Sequence, residues 1–299
     1  MMIKLPKNIK IIIPLSLLCC LLFVAANQYM KSWQAMDVIL FMGQSNMSGA
    51  NGDAALAPKL TDGAGYEYRA ITDPNTLHVL EEPFGALEHR QGALDDREIL
   101  DRNGSLVTAF VNAYYAQTKT PVVAISASRG SSSLNGWLHK GLKEDALARL
   151  ASAKACLKKE KVHIRHIYMV WFQGEADANL ETTAEEYHTG MEELLASMKE
   201  QGVEQCFLIQ LGPDLKNPEH HQVIMDAQLE LCEKSEDVTL ASKLPAVLKE
   251  AGMKDEGGIH FTQEALNRIG EDAGTNAGAW VQALHTKPQI QDSKEQEGE

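Results

Sequence analysis

Ser45 stands in the run Phe41-Met42-Gly43-Gln44-Ser45-Asn46-Met47, one small turn beyond the apolar segment Val38-Ile39-Leu40. A strand ending in such a turn can project a hydroxyl from the sheet edge and leave nearby backbone N–H groups free to hold an oxyanion. On turn chemistry alone the same serine would serve equally as a helix N-cap. Its company further along the chain favours the first reading. Ser128-Arg129-Gly130-Ser131 follows a second apolar run, and Phe172-Gln173-Gly174-Glu175-Ala176-Asp177 closes a third. Gly257-Gly258-Ile259-His260-Phe261-Thr262 then places a histidine on a glycine-rich loop before the last amphipathic stretch. A hydroxyl, turns able to offer N–H groups, carboxylates and an imidazole together are the equipment of acyl transfer.

These groups lie far apart in the chain, so a sheet must gather them. Apolar runs at 36–42, 121–126, 164–171, 205–211 and, more weakly, 238–241 alternate with stretches of helical spacing at 106–118, 142–159, 184–200, 221–234 and 263–284. That alternation predicts an α/β fold with three layers, α/β/α, around a central, mostly parallel, five-stranded sheet. Ligands of such sheets bind beyond the carboxyl ends of the strands, where all four chemical segments fall. Residues 50–103 are rich in Gly, Asp and Pro without sustained periodicity, and are expected to form long loops over one end of the sheet.

Composition narrows the function. A chain of 299 residues, 44% hydrophobic, has material for one large core. Its formal charge of -13, with no Lys/Arg block interleaved with aromatics, argues against a nucleic-acid partner. Residues 1–30, with Lys4, Lys7 and Lys10 before the apolar run 11–26, read as a signal peptide or signal-anchor. The expected localisation is therefore exported, periplasmic or extracellular, with membrane contact only through that segment if it is retained. Residues 36–285 form the expected catalytic domain, and the polar stretch 286–299 a disordered tail. Cys156, Cys206 and Cys232 are odd in number and widely spaced, so neither a disulfide framework nor a metal site is expected. His163 with His166, and His220 with His221, lack acids at ligand spacing and read as solvated surface. No cofactor is implied.

The four segments resemble, in order, the motif blocks of the SGNH hydrolases, and within them the carbohydrate esterases that include sialate O-acetylesterase domains and acetylxylan esterases. The likeness spans about residues 37–284. Gly43-Gln44-Ser45-Asn46-Met47 is similar to the first block, and Ala127-Ser128-Arg129-Gly130 with Trp137 to the glycine block. Gln173-Gly174-Glu175 resembles the third, and Gly258-Ile259-His260-Phe261-Thr262 the histidine block. The resemblance implies a flavodoxin-like SGNH fold, with Ser45 as nucleophile and His260 as general base. It also implies an oxyanion hole made by the N–H groups of Ser45 and Gly130 and the Gln173 side chain. Gln44, Asn46, Arg129 and Trp137 are candidate pocket residues. Because the imidazole must be neutral to take the serine proton, activity is expected to fall on acidification.

The chain departs from the family pattern at the acid. Many members carry an aspartate three positions before the histidine, where this sequence has Gly257. Glu175 is the preferred substitute, with Asp255 and Glu256 as alternatives, since orienting an imidazole demands geometry and not a fixed offset. Ser131–Ser133 also replaces a double glycine common in the second block. The expected function is removal of O-acetyl groups from a carbohydrate by a serine esterase. The alternatives are a carbohydrate-binding surface protein that has lost its chemistry, suggested by the displaced acid, and an SGNH lipase or thioesterase.

Overall fold

A computed structural model describes residues 35–88, 102–248 and 253–286. The expected signal segment at 1–30 lies outside the described residues, as does the tail beyond residue 286. No helix among the described residues is long and apolar enough to cross a membrane.

The strands are β1 (Ala35–Gly43), β2 (Gly65–Tyr68), β3 (Leu77–Val79), β4 (Val122–Ser126), β5 (His163–Phe172), β6 (Gln205–Ile209) and β7 (Val238–Ser242). They form one seven-stranded sheet in the order β3-β2-β4-β1-β5-β6-β7. Every pairing is parallel except the antiparallel β2–β3. The expected five strands are present, and the count is corrected to seven by β2 and β3, which lie in the stretch read as loops. Both are too short to display periodicity, and β2 carries a buried Glu67 that its partner Arg69 neutralises at 2.8 Å.

Residues 38–42 of β1 are fully buried, and successive side chains point to opposite faces. Val38, Leu40 and Met42 join a core with α3 (Leu134–His139), α4 (Leu142–Lys159), α6 (Ala184–Glu200) and α7 (Gln222–Lys234). Ile39 and Phe41 join another with α2 (Val107–Thr118), the short α8 (Leu244–Val247) and α9 (Gln263–Thr286). Burying each such side chain is worth about 1.5–3 kcal/mol, so the strand that leads to Ser45 is firmly anchored on both faces of the sheet. Helices α2 and α9 approach closely because α9 presents glycine there: a Cβ at Gly270 or Gly274 would meet Leu106 O at 2.3 Å or Phe110 O at 2.2 Å.

The amino end of β1 is pinned by charge. Asp37, fully buried, receives two hydrogen bonds from Arg165 at 2.9 and 2.8 Å and one from the Tyr114 hydroxyl at 2.6 Å. Burial and the Asp37 carboxylate push the Tyr114 hydroxyl far up, so it stays protonated and donates to Asp37. At the carboxyl end the register aligns Phe41 with Ser126 and Gly43 with Phe172. The three segments that follow β1, β4 and β5 therefore emerge at one level.

Candidate active site

Gly43 turns the chain out of β1 with φ of 138°, and a Cβ there would meet Phe172 O at 2.1 Å, so only glycine fits. Ser45 opens the short helix α1 (Ser45–Ser48). It is not the N-cap, which is Gln44, and its hydroxyl goes elsewhere. His260 Nε2 lies 2.9 Å from Ser45 Oγ, across 215 positions of sequence. The N–H of Ser45, at the first position of α1, has no intrahelical acceptor. Half-buried Gly130, on the loop after β4, has an N–H uncommitted among the described residues. Arg129, also half-buried, ties that loop to the β1 turn by donating its N–H to Gly43 O at 2.9 Å.

The acid expected first is corrected. The second ring nitrogen of His260 meets Asp255 Oδ2 at 3.1 Å, while Glu175, at the start of α5 (Glu175–Asn179), accepts instead from Asn46 Nδ2 at 2.5 Å. Asp255 is five positions before His260, and the turn through Gly257 and Gly258 folds it back. Its Oδ1 accepts the N–H groups of Ile259 and His260 at 3.2 and 3.3 Å. Burial opposes ionisation of Asp255, but the Ile259 N–H, the His260 hydrogen bond and the His260 charge outweigh it and hold the carboxyl below its usual value. Glu256 is exposed and takes no part.

Gln173 is also corrected. Its side chain is fully buried, and both amide N–H groups are committed, one to Ser132 O at 2.9 Å and the other to Asp177 Oδ2. Two donors already spent leave none for an oxyanion. Gln173 instead joins the glycine-block loop to α5, where burial pushes the Asp177 carboxyl up against hydrogen bonds from Gln173, Leu134 and Thr182. Gln173→Ala is therefore expected to cost about 3 kcal/mol of stability by orphaning both acceptors, read by urea unfolding. A selective drop in kcat of about 10²–10³-fold at unchanged stability would restore it as an oxyanion donor.

Trp137 is no pocket wall. It is fully buried, edge-on to Trp171 at 5.3 Å, with Nε1 donating to Ser132 Oγ at 3.0 Å. Gln44 and Asn46, also candidate pocket residues, are almost wholly buried. Gln44 Oε1 accepts from the N–H groups of Gly174 and Ala176 at 3.3 and 3.2 Å, which locks the third block onto the first. His221 is corrected from surface to core, fully buried with Nδ1 against Gly212 O at 2.8 Å. Among the described residues no group of His, Cys, Asp and Glu side chains is placed to hold a metal ion.

Sequence reasoning missed Arg102. Buried beneath the glycine-block loop, it donates to Ser126 Oγ and Ser128 O at 2.9 Å each, while Ser48 Oγ donates to Ser128 Oγ at 2.9 Å. A lone arginine in an aperiodic stretch gives no signal of this role.

A parallel α/β/α sheet with a serine after its central strand, and a histidine and an aspartate meeting it from the last loop, defines an SGNH-type hydrolase. The chain belongs to the carbohydrate esterase family described as sialic acid-specific acetylesterase, whose model matches residues 35–277; it is an SGNH-type carboxylesterase. Among solved structures, a protein from Arabidopsis thaliana is similar at 17% identity and TM-score 0.61, over 82% of this chain and 98% of that one. An acetylxylan esterase from Geobacillus stearothermophilus matches at 12% identity and TM-score 0.47, over 80% and 93%. A psychrotrophic esterase from Pseudoalteromonas sp. matches at 12% and 0.46, over 82% and 99%. At these identities the likeness is one of fold. The search of curated proteins found no match.

Proposed function

We propose that this chain is a serine esterase that removes O-acetyl groups from a carbohydrate through an acyl-enzyme intermediate. The observation that carries the reading is the line of groups from Asp255 through His260 to Ser45, with contacts of 3.1 and 2.9 Å. Ser45 Oγ attacks the acetyl carbonyl carbon as its proton passes to His260 Nε2. The carbonyl oxygen becomes an oxyanion held by the N–H groups of Ser45 and Gly130. Collapse breaks the bond to the sugar oxygen, which leaves with the proton from the imidazolium. Water then attacks the acetyl-serine with the same base, releasing acetate and restoring Ser45.

The family description supports a carbohydrate ester as substrate. Gly257 standing in place of the acid favours a binding-only protein, and the contact of Asp255 with His260 at 3.1 Å weighs against that alternative. The test pairs a serine-directed organophosphate, with its adduct mapped, with acetate release from a panel of acetylated glycans and from aryl esters of increasing acyl length. The expected result is an adduct on Ser45 and a preference for acetyl. Labelling at another serine moves the nucleophile, no adduct with no acetate release removes the enzyme reading, and a preference for long acyl chains turns it to a lipase or thioesterase.

A further inference from the structure

We propose that Asn46 and Glu175 are a positioning pair that holds His260 in register with Ser45 by gripping the backbone on both sides of the histidine. The inference rests on the esterase reading for its consequence in rate, but its geometry is independent of the substrate.

The contact between Ser45 and His260 joins the start of α1 to a loop 215 positions away, so its length depends on how firmly that loop is docked. Asn46, the residue after Ser45, does the docking. Its Oδ1 accepts the Phe261 N–H at 3.1 Å, and its Nδ2 donates to Ile259 O at 3.3 Å. These are the two neighbours of His260. One amide can satisfy both only in one orientation, and Glu175 selects it: Oε1 accepts from the same Nδ2 at 2.5 Å. With the amide reversed, its oxygen would face a carboxylate and its N–H groups would face the Phe261 N–H.

Asn46 and Glu175 are 2% and 3% exposed, so water does not compete for these bonds. Glu175 Oε2 is enclosed without a hydrogen-bond partner among the described residues. Keeping a buried carboxylate with an idle oxygen is unfavourable for stability, and such departures are expected where function holds them. The cation that accompanies it is Lys254, which sits 4.5 Å over the Phe261 ring and donates to Pro213 O. Burial pushes Lys254 down to about 8, against the pull of Glu175, Asp214 and Asp255. The histidine loop is thus held from below by Lys254, from within by Asp255 and from the nucleophile side by Asn46. Glu175 reaches His260 only through Asn46.

The test compares Asn46→Ala, Glu175→Ala, Glu175→Gln and the double alanine variant in the full chain, measuring kcat and KM on an acetyl ester and hydrogen exchange at the Phe261 amide. Misplacing the base by about 1 Å costs about 100-fold, so each alanine change should lower kcat by about that factor while KM stays within about threefold. The double variant should be no slower than the worse single, since both remove one grip. Glu175→Gln, which keeps an acceptor for Asn46, should stay within about tenfold of wild type. The Phe261 amide should lose protection in the alanine variants and keep it in Glu175→Gln. The pair is overturned if Glu175→Gln loses orders of magnitude in kcat, if the alanine losses multiply, or if Phe261 stays protected in Glu175→Ala. A wild type without esterase activity refutes the functional reading instead, and the exchange result still decides the pair.

Discussion

Ser45→Ala is expected to lower turnover of an acetyl ester by about 10⁶-fold while the protein folds as before. The separation of the two effects follows from where the hydroxyl sits. Ser45 is at the first position of α1, where alanine is a good helix former, and it caps nothing. Its hydroxyl has one side-chain partner, His260, whose side chain is 33% exposed and can turn to water when that partner is removed. Unfolding free energy should therefore change by less than about 1 kcal/mol. The reaction, in contrast, loses the atom that forms the acyl bond, and only the N–H groups of Gly130 and residue 45 and substrate binding remain. The measurement is single-turnover hydrolysis alongside a urea melt. A variant within about tenfold of wild type would move the nucleophile elsewhere.

The parts of the site that were legible in the sequence are those fixed by strand ends. Ser45 follows the apolar run 38–42, and the parallel pairing of β1 with β5 levels Gly43 with Phe172. The helices at 142–159 and 184–200 fall where their periodicity places them. What escaped was decided by side-chain geometry between elements. Glu175 and Gln173 share a strand end with the site, but one faces Asn46 and the other is spent on Ser132 and Asp177. Nothing in the residue types distinguishes a glutamine that donates into a cleft from one that cross-links two loops beneath it. Trp137 escapes for the same reason, since an indole can wall a pocket or fill a core. Asp255 ranks behind Glu175 on spacing because of its offset: two glycines let the loop fold the carboxylate back, which spacing alone cannot show.

Asp255→Asn is the second large loss, about 10⁴-fold in kcat, and it separates the two carboxylates. The substitution is nearly isosteric, but the amide cannot do what the carboxylate does. If its oxygen keeps the N–H groups of Ile259 and His260, now held at 3.2 and 3.3 Å, its NH₂ must face His260 Nδ1. That places the ring proton on Nε2, pointing at Ser45, where a base is needed. If the amide turns over, those two backbone bonds are lost. The turned amide would keep the tautomer but set its NH₂ against two N–H donors, so the first arrangement is favoured, and in it the imidazole no longer accepts the serine proton. The same carboxylate sets a pH dependence. A carboxyl held below its unfolded value adds stability that is present above that value and is lost as pH falls through the folded one. Asp255 therefore stays ionised through the mildly acidic range, and a fall in activity there is not its protonation. Below about pH 4 the wild type should lose stability faster than Asp255→Asn, which has no such group to titrate; urea melts from pH 7 to pH 3 would read this. If turnover instead survived Asp255→Asn and collapsed in Glu175→Gln, the orienting acid would be Glu175. His260 would then have to leave the position that Asp255 and Asn46 both define.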